Sequence, residues 1–178
     1  MLKAITLQKV NISYAVNFLI LLAAATGAPL IGIHSQWLTG PIVNMALILA
    51  VFIIGIRGAL LIGILPSTIA LGTGLLPTVL APMIPFIIIS NFLLILILDY
   101  FKSKFTSCKL RVTSYGIALF FAAGAKYLFL FIASSIVINL LLNQALASTV
   151  AAMMSWPQFF TAIIGGVLAW EILKFINK

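Results

Sequence analysis

The chain has 178 residues, of which 64% are hydrophobic and only 7% charged, with a formal net charge of +8. Soluble domains carry about 45–50% apolar residues, and a mean hydropathy of +1.31 is more than a soluble fold of this length can hide. These values exclude a soluble domain and point to an all-α integral membrane protein. At about 20 apolar residues per span, the length suits roughly six transmembrane helices in a single transmembrane domain, 1–178.

The residue inventory narrows the chemistry. There is one cysteine, Cys108, and one histidine, His34. A zinc cluster, a haem ligand pair or a Ser-His-Asp triad cannot be assembled from these, so no metal site or cofactor is expected. No nucleophile–base pair stands out, which argues against an enzyme. A G-x-x-x-x-G-K-[ST] phosphate loop is missing too. The basic excess reads as cytoplasmic-loop charge and not as a nucleic-acid surface.

In chain order, residues 1–9 are a short polar lead with Lys3 and Lys9. The apolar run behind them is too long for a signal peptide and reads as a retained first helix, Val10 to Ile33. A turn-rich loop, His34 to Pro41, comes next. The second helix is expected from Pro41 to Ile56, with proline in its first turn, where a missing N–H is harmless. Gly55-Ile56-Arg57-Gly58 is a tight turn. The third helix runs from Ala59 to Leu71 with Pro66 inside it. Gly72 to Pro85 holds three prolines and two glycines but stays apolar. It reads as a folded or partly re-entrant cap between helices 3 and 4. The fourth helix spans Pro82 to Tyr100, and a basic loop runs from Phe101 to Arg111. The fifth helix spans Val112 to Leu142. A short segment, Asn143 to Ser155, precedes the sixth, Pro157 to Phe175.

With six spans, nine of the ten Lys/Arg residues fall on one side. The positive-inside rule makes that side cytoplasmic, with both termini in. All seven prolines lie in or near the opposite, outer half. Broken backbone at membrane depth is tolerated where it lines a cavity or is buried in protein, so the outer half is the expected place for a pocket.

The exception to the charge pattern is Lys126, in the middle of the fifth helix. It lies 15 residues past Arg111, about 22 Å along a helix axis. A charge deep in a bilayer costs roughly 2.5 kcal/mol or more. The two acids, Asp99 and Glu171, belong at cytoplasmic helix ends, in i,i+3 pairs with Lys102 and Lys174. Lys126 must therefore snorkel to water, bond to carbonyls freed near a proline break, or await an anion from outside. Asn91 is an amide among Ile and Leu that needs a partner, either a ligand or a neighbouring helix. Gln158 beside Trp156 suits an apolar pocket with a few polar groups, or an interfacial anchor. His34, Gln36 and Trp37 occupy the first outer loop, where they could form a lid over the pocket. The candidate substrate contacts are thus Lys126, Asn91, Trp156, Gln158, Trp37 and His34. Small residues four apart, Ala24/Ala28, Ala23/Gly27, Ala118/Ala122 and Gly165/Ala169, permit close helix contact, within the chain or with another membrane protein.

This pattern resembles the substrate-binding (S) component of energy-coupling factor (ECF) transporters of bacteria and archaea. The likeness rests on length, span count, N-in/C-in orientation, the stretch Thr39-Gly40-Pro41-Ile42-Val43-Asn44, and the Leu-Pro-Ser and Ala-Pro-Met-Ile-Pro segments between Pro66 and Pro85. The resemblance implies capture of a vitamin or other micronutrient in an outward pocket of the later helices, closed by outer loops. It implies partnership with a coupling membrane protein and two ATPase subunits in a prokaryotic cell membrane. It also implies that Ala24 and Ala28 dock on the coupling protein. A non-transport assembly or scaffold protein is the competing reading.

Overall fold

Backbone N–H and C=O groups find no water inside a bilayer, so an apolar chain must satisfy them within its own segments. The computed structural model, which describes residues 12–30, 35–72, 74, 78–105, 112–141 and 144–176, answers with helices almost throughout. They are α1 (Ile12–Leu30), α2 (Gln36–Ile53), α3 (Ile56–Gly72), α4 (Ile84–Phe105), α5 (Val112–Leu141), α6 (Gln144–Met153) and α7 (Trp156–Ile176), with a 3-10 helix at Thr78–Met83 before α4. Four stretches are long and apolar enough to cross a membrane: Gln36–Ile53, Leu80–Ser103, Val112–Asn139 and Val150–Ile176. Two shorter apolar helices, Ile12–Gly27 and Ile56–Gly72, accompany them. Large apolar side chains such as Leu19, Phe120 and Ile132 point outward, as they should on a surface bathed in lipid.

Several boundaries depart from the sequence reading. The second helix begins at Gln36, not Pro41, because the Leu38 and Thr39 amides already bond to the Ser35 carbonyl at 3.0 Å. Pro41 is therefore inside the helix, where it deprives the Trp37 carbonyl of its usual donor. Most of the expected first outer loop is thus helical. The segment expected only as a connection after Asn143 contains α6. In the Pro/Gly-rich stretch between α3 and α4, the described parts are Gly74, whose N–H bonds to the Leu71 carbonyl at 3.0 Å, and the 3-10 helix, whose Leu80 and Met83 are fully buried. Gly55 ends α2 with φ +83°, its N–H reaching the Ala50 carbonyl at 3.0 Å. That left-handed conformation is the ordinary glycine stop after a helix.

Close backbone approach ties α2 to α7. A Cβ on Gly165 would stand 2.6 Å from the Pro41 carbonyl oxygen and 2.8 Å from Asn44 Cβ, and one on Gly40 would stand 2.8 Å from Thr161 Cβ. Both sets of numbers rise together, so the two helices run parallel. Gly166 faces α5: a Cβ there would collide with Leu119, and its carbonyl accepts a 2.7 Å bond from the Tyr115 hydroxyl. Ala118, Ala122 and Ala169 are buried as well, so these small residues serve contacts within the chain.

This packing brings Arg57, Asp99, Lys102, Glu171 and Lys174 to one end of the bundle. There Lys102 donates from Nζ to the Val51 carbonyl at 2.8 Å and lies 5.4 Å from the Phe52 ring centroid. A cation at a helix C-terminus is favoured by the unsatisfied carbonyls and the helix dipole. The expected Asp99–Lys102 pair is not among the ion pairs of the described residues, and the carbonyls of α2 explain where Lys102 goes. Glu171 and Lys174 do pair, at 2.9 Å, on an exposed surface where such a bond carries little energy.

The core comes in two parts. One cluster, at the charged end, includes Leu47, Val51, Ile62, Leu94, Leu98, Leu119, Ala122 and Ala169. The other comprises Leu80, Met83, Leu130, Ala133, Val137, Val150 and Met154. Between them, on five helices, come Asn44, Ser67, Asn91, Lys126 and Thr161, all buried and all polar.

Gly165→Ala is expected to force α2 and α7 apart and to cost about 1–3 kcal/mol, visible as a lower unfolding midpoint in detergent. Gly27→Ala, which meets nothing within 4 Å, should leave the midpoint unchanged or slightly raised.

Candidate functional site

Lys126 belongs to α5 between the two apolar clusters, one turn from Ala122, Ala123 and Leu130. Alanines flank the lysine on α5, where α4 packs closely, and Asn44 on α2 is met through the length of the lysine side chain. Lys126 is 3% exposed, so it does not snorkel to bulk solvent. Its Nζ donates to Asn44 Oδ1 at 2.7 Å and to Asn91 Oδ1 at 2.8 Å. The partners are therefore side-chain amides of α2 and α4, not the backbone carbonyls released by a proline.

The amides are held from behind. Asn91 Nδ2 donates to the Gly63 carbonyl of α3 at 3.1 Å. Asn44 Nδ2 points to Thr161 Oγ1 on α7 at 3.5 Å, and that hydroxyl donates to the Gln158 carbonyl at 3.2 Å. The order of donors and acceptors fixes both amide orientations, since an Nδ2 turned toward Lys126 would set donor against donor. The result is one connected network across α2, α3, α4, α5 and α7. In a dry interior such networks are strong when satisfied and costly when broken.

Two acceptors occupy two of the three N–H bonds that an ammonium offers. Neither acid of the chain touches Lys126: Glu171 binds Lys174 at the exposed end, and Asp99 lies two helical turns beyond Asn91 on α4. Amide oxygens carry only partial negative charge, so this centre solvates a cation without neutralising it. Among the described residues, no group of three or more His, Cys, Asp or Glu side chains is suited to a metal ion.

The other candidates do not gather at this centre. Trp156 is 61% exposed, its ring stacked on Tyr127 with centroids 5.1 Å apart. Trp37 is exposed at the start of α2. Gln158 and Gln36 both donate to the Met153 carbonyl, at 3.1 and 2.7 Å, closing the C-terminal end of α6. Gln158 meets the network only through its backbone carbonyl. His34 lies outside the described residues. Ala24 is half-buried and packs against the larger apolar cluster, and Ala28, though in α1, has its side chain outside what is described.

Sequence reasoning did not single out Asn44 or Thr161. Asn44 carried the same signal as Asn91, an amide in an apolar helix. Thr161 carried none, because threonine in a helix usually bonds to its own preceding turn.

Comparison of the chain with protein-family models, with curated proteins and with solved structures found no match in any of the three.

Asn91→Leu or Asn44→Leu alone should cost about 1.5–3 kcal/mol, the value of a hydrogen bond to a charged group. Combined with Lys126→Met, each should cost less than the sum of the separate changes, with a coupling of about 0.5–3 kcal/mol. Unfolding of the single and double variants in detergent measures this, and strict additivity would mean that the network does not act as a unit.

Proposed function

We propose that this chain is the membrane-embedded substrate-binding component of an ECF-type importer, taking up a small anionic micronutrient from outside the cell. The observation that carries the reading is Lys126: buried, held by two neutral amides and, among the described residues, without a carboxylate partner. A cation solvated in this way, with an N–H to spare, is suited to an incoming carboxylate or other oxyanion, which would supply the missing countercharge. Asn44 and Asn91 would then hold Nζ in place for the ligand.

The six-span topology is part of the proposal. The two shorter helices, α1 and α3, would complete the four longer spans. The 17 residues of α3 cover about 25 Å, short of the roughly 30 Å hydrocarbon layer, which local thinning can accommodate. The end bearing Arg57, Lys102 and Lys174 would face the cytoplasm by the positive-inside rule, and Lys126 would be approached from the other side. A coupling membrane protein and two ATPases would be its partners.

A second reading, a non-transport assembly or scaffold protein, draws on the same contacts. Asn44 and Asn91 could exist only to make Lys126 tolerable as a link between helices.

Two measurements decide between these readings. Native mass spectrometry of the purified chain should find a co-purifying small anion on the wild type, none on Lys126→Ala, and partial occupancy on Lys126→Arg. Full occupancy of the alanine variant would refute the role of Lys126, and an empty but stable wild type would favour the scaffold. For orientation, a membrane-impermeant maleimide applied to intact cells should leave the lone Cys108 unlabelled. It should label Trp37→Cys in a Cys108→Ser background.

A further inference from the structure

Ser67 has the one buried side-chain polar atom that finds no hydrogen-bond partner in the protein among the described residues. Its residue is 7% exposed, on α3 directly after Pro66. A buried hydroxyl without a partner is destabilising, and serine in a helix ordinarily bonds to the carbonyl three or four residues back. Ser90 and Ser134 do so here, at 2.7 and 2.9 Å. Ser67 does not.

Its position relates it to Lys126. Gly63, one turn earlier on the same face of α3, lies against Ile95 and Phe92 of α4, at 3.2 and 3.5 Å from an added Cβ. The Gly63 carbonyl is the acceptor of Asn91 Nδ2. Since α3 and α4 are consecutive and run in opposite directions, one turn further along α3 is the level of Ile88 to Asn91 on α4. Ser67 thus belongs to the same polar layer as Lys126, on the far side of Asn91. Within that layer Asn44, Asn91 and Thr161 are engaged with one another or with Lys126. Among the described residues the Ser67 hydroxyl is the buried group of this layer with no partner at all, while the third N–H of Lys126 and the second N–H of each asparagine amide are also uncommitted.

We infer that Ser67 is a specificity-determining residue of the same site, contacting a polar group other than the one bound by Lys126. The inference rests on the Lys126 reading given above. It narrows the ligand class to small organic anions that carry, besides the oxyanion, a hydroxyl or similar hydrogen-bonding group. The serine hydroxyl can donate or accept, so it reads the presence of that group and not its sign. Lys126 supplies attraction for the anion, and Ser67 discriminates between anions.

The test uses the full chain in detergent and pairs of simple carboxylates that differ by one hydroxyl, propionate with lactate and benzoate with salicylate. The readout is the anion-dependent rise in unfolding midpoint, which reports binding to the folded state. Wild type should bind the hydroxyl-bearing member about fivefold more tightly, as expected for one net neutral hydrogen bond. Ser67→Ala should abolish that preference and leave affinity for propionate and benzoate unchanged. Without any anion, Ser67→Ala should be at least as stable as wild type, because it breaks no protein hydrogen bond. Lys126→Ala should lose all four anions. A hydroxyl preference that survives in Ser67→Ala, or is absent from wild type, overturns the inference while the Lys126 site stands. A wild type that binds none of the four overturns the Lys126 reading and this inference with it.

Discussion

A cation enclosed in apolar protein must be solvated by something, and in this chain two asparagine oxygens do it. Everything at the centre of the bundle follows from that requirement. Lys126 needs acceptors, so α2 and α4 each present an amide at its level. The amides need their own acceptors, so α3 offers a carbonyl and α7 a hydroxyl. Five helices are thereby brought into one register. An apolar substitute for the whole set could pack as well or better, so the polar layer fixes which helices meet more than it adds to stability.

The network depends in turn on how closely the helices approach. Asn44 meets Thr161 because Gly165 lies against Pro41 and Asn44 with no room for a Cβ. Hydrophobic driving force cannot select among helix contacts in lipid, whose tails are as apolar as leucine. Small residues and interhelical hydrogen bonds take over that role. The same economy appears at the charged end of the bundle, where Lys102 donates to the Val51 carbonyl near the C-terminal end of α2.

Division of the core into two apolar clusters gives the polar layer a defined depth. The cluster at the charged end is built mainly from α2, α4, α5 and α7 and is packed closely through alanine and glycine. The other is built around Met83, Leu130 and Met154, where short helices and prolines interrupt the regular bundle. Methionine is the more adaptable filler, and short elements open at lower cost than long ones. If the centre exchanges a ligand, this second half is the side whose rearrangement is cheaper.

Composition and hydropathy alone determined that the chain is helical and suited to a membrane, because an unpaired backbone in lipid leaves few alternatives. They also exposed Lys126, since a lone charge in an apolar run is conspicuous in one dimension. What one dimension could not supply was its partners. Asn44 and Asn91 stand 82 and 35 residues from the lysine, and no local pattern says which amide faces which helix. Trp156, Trp37 and Gln158 were plausible neighbours by depth, yet the rotation of α7 and the early start of α2 turn them elsewhere. Depth is legible in sequence because it scales with residue number along a helix. Azimuth is set by which small residues let two helices touch, and that was decided only when Gly40, Gly165 and Gly166 met their neighbours in three dimensions.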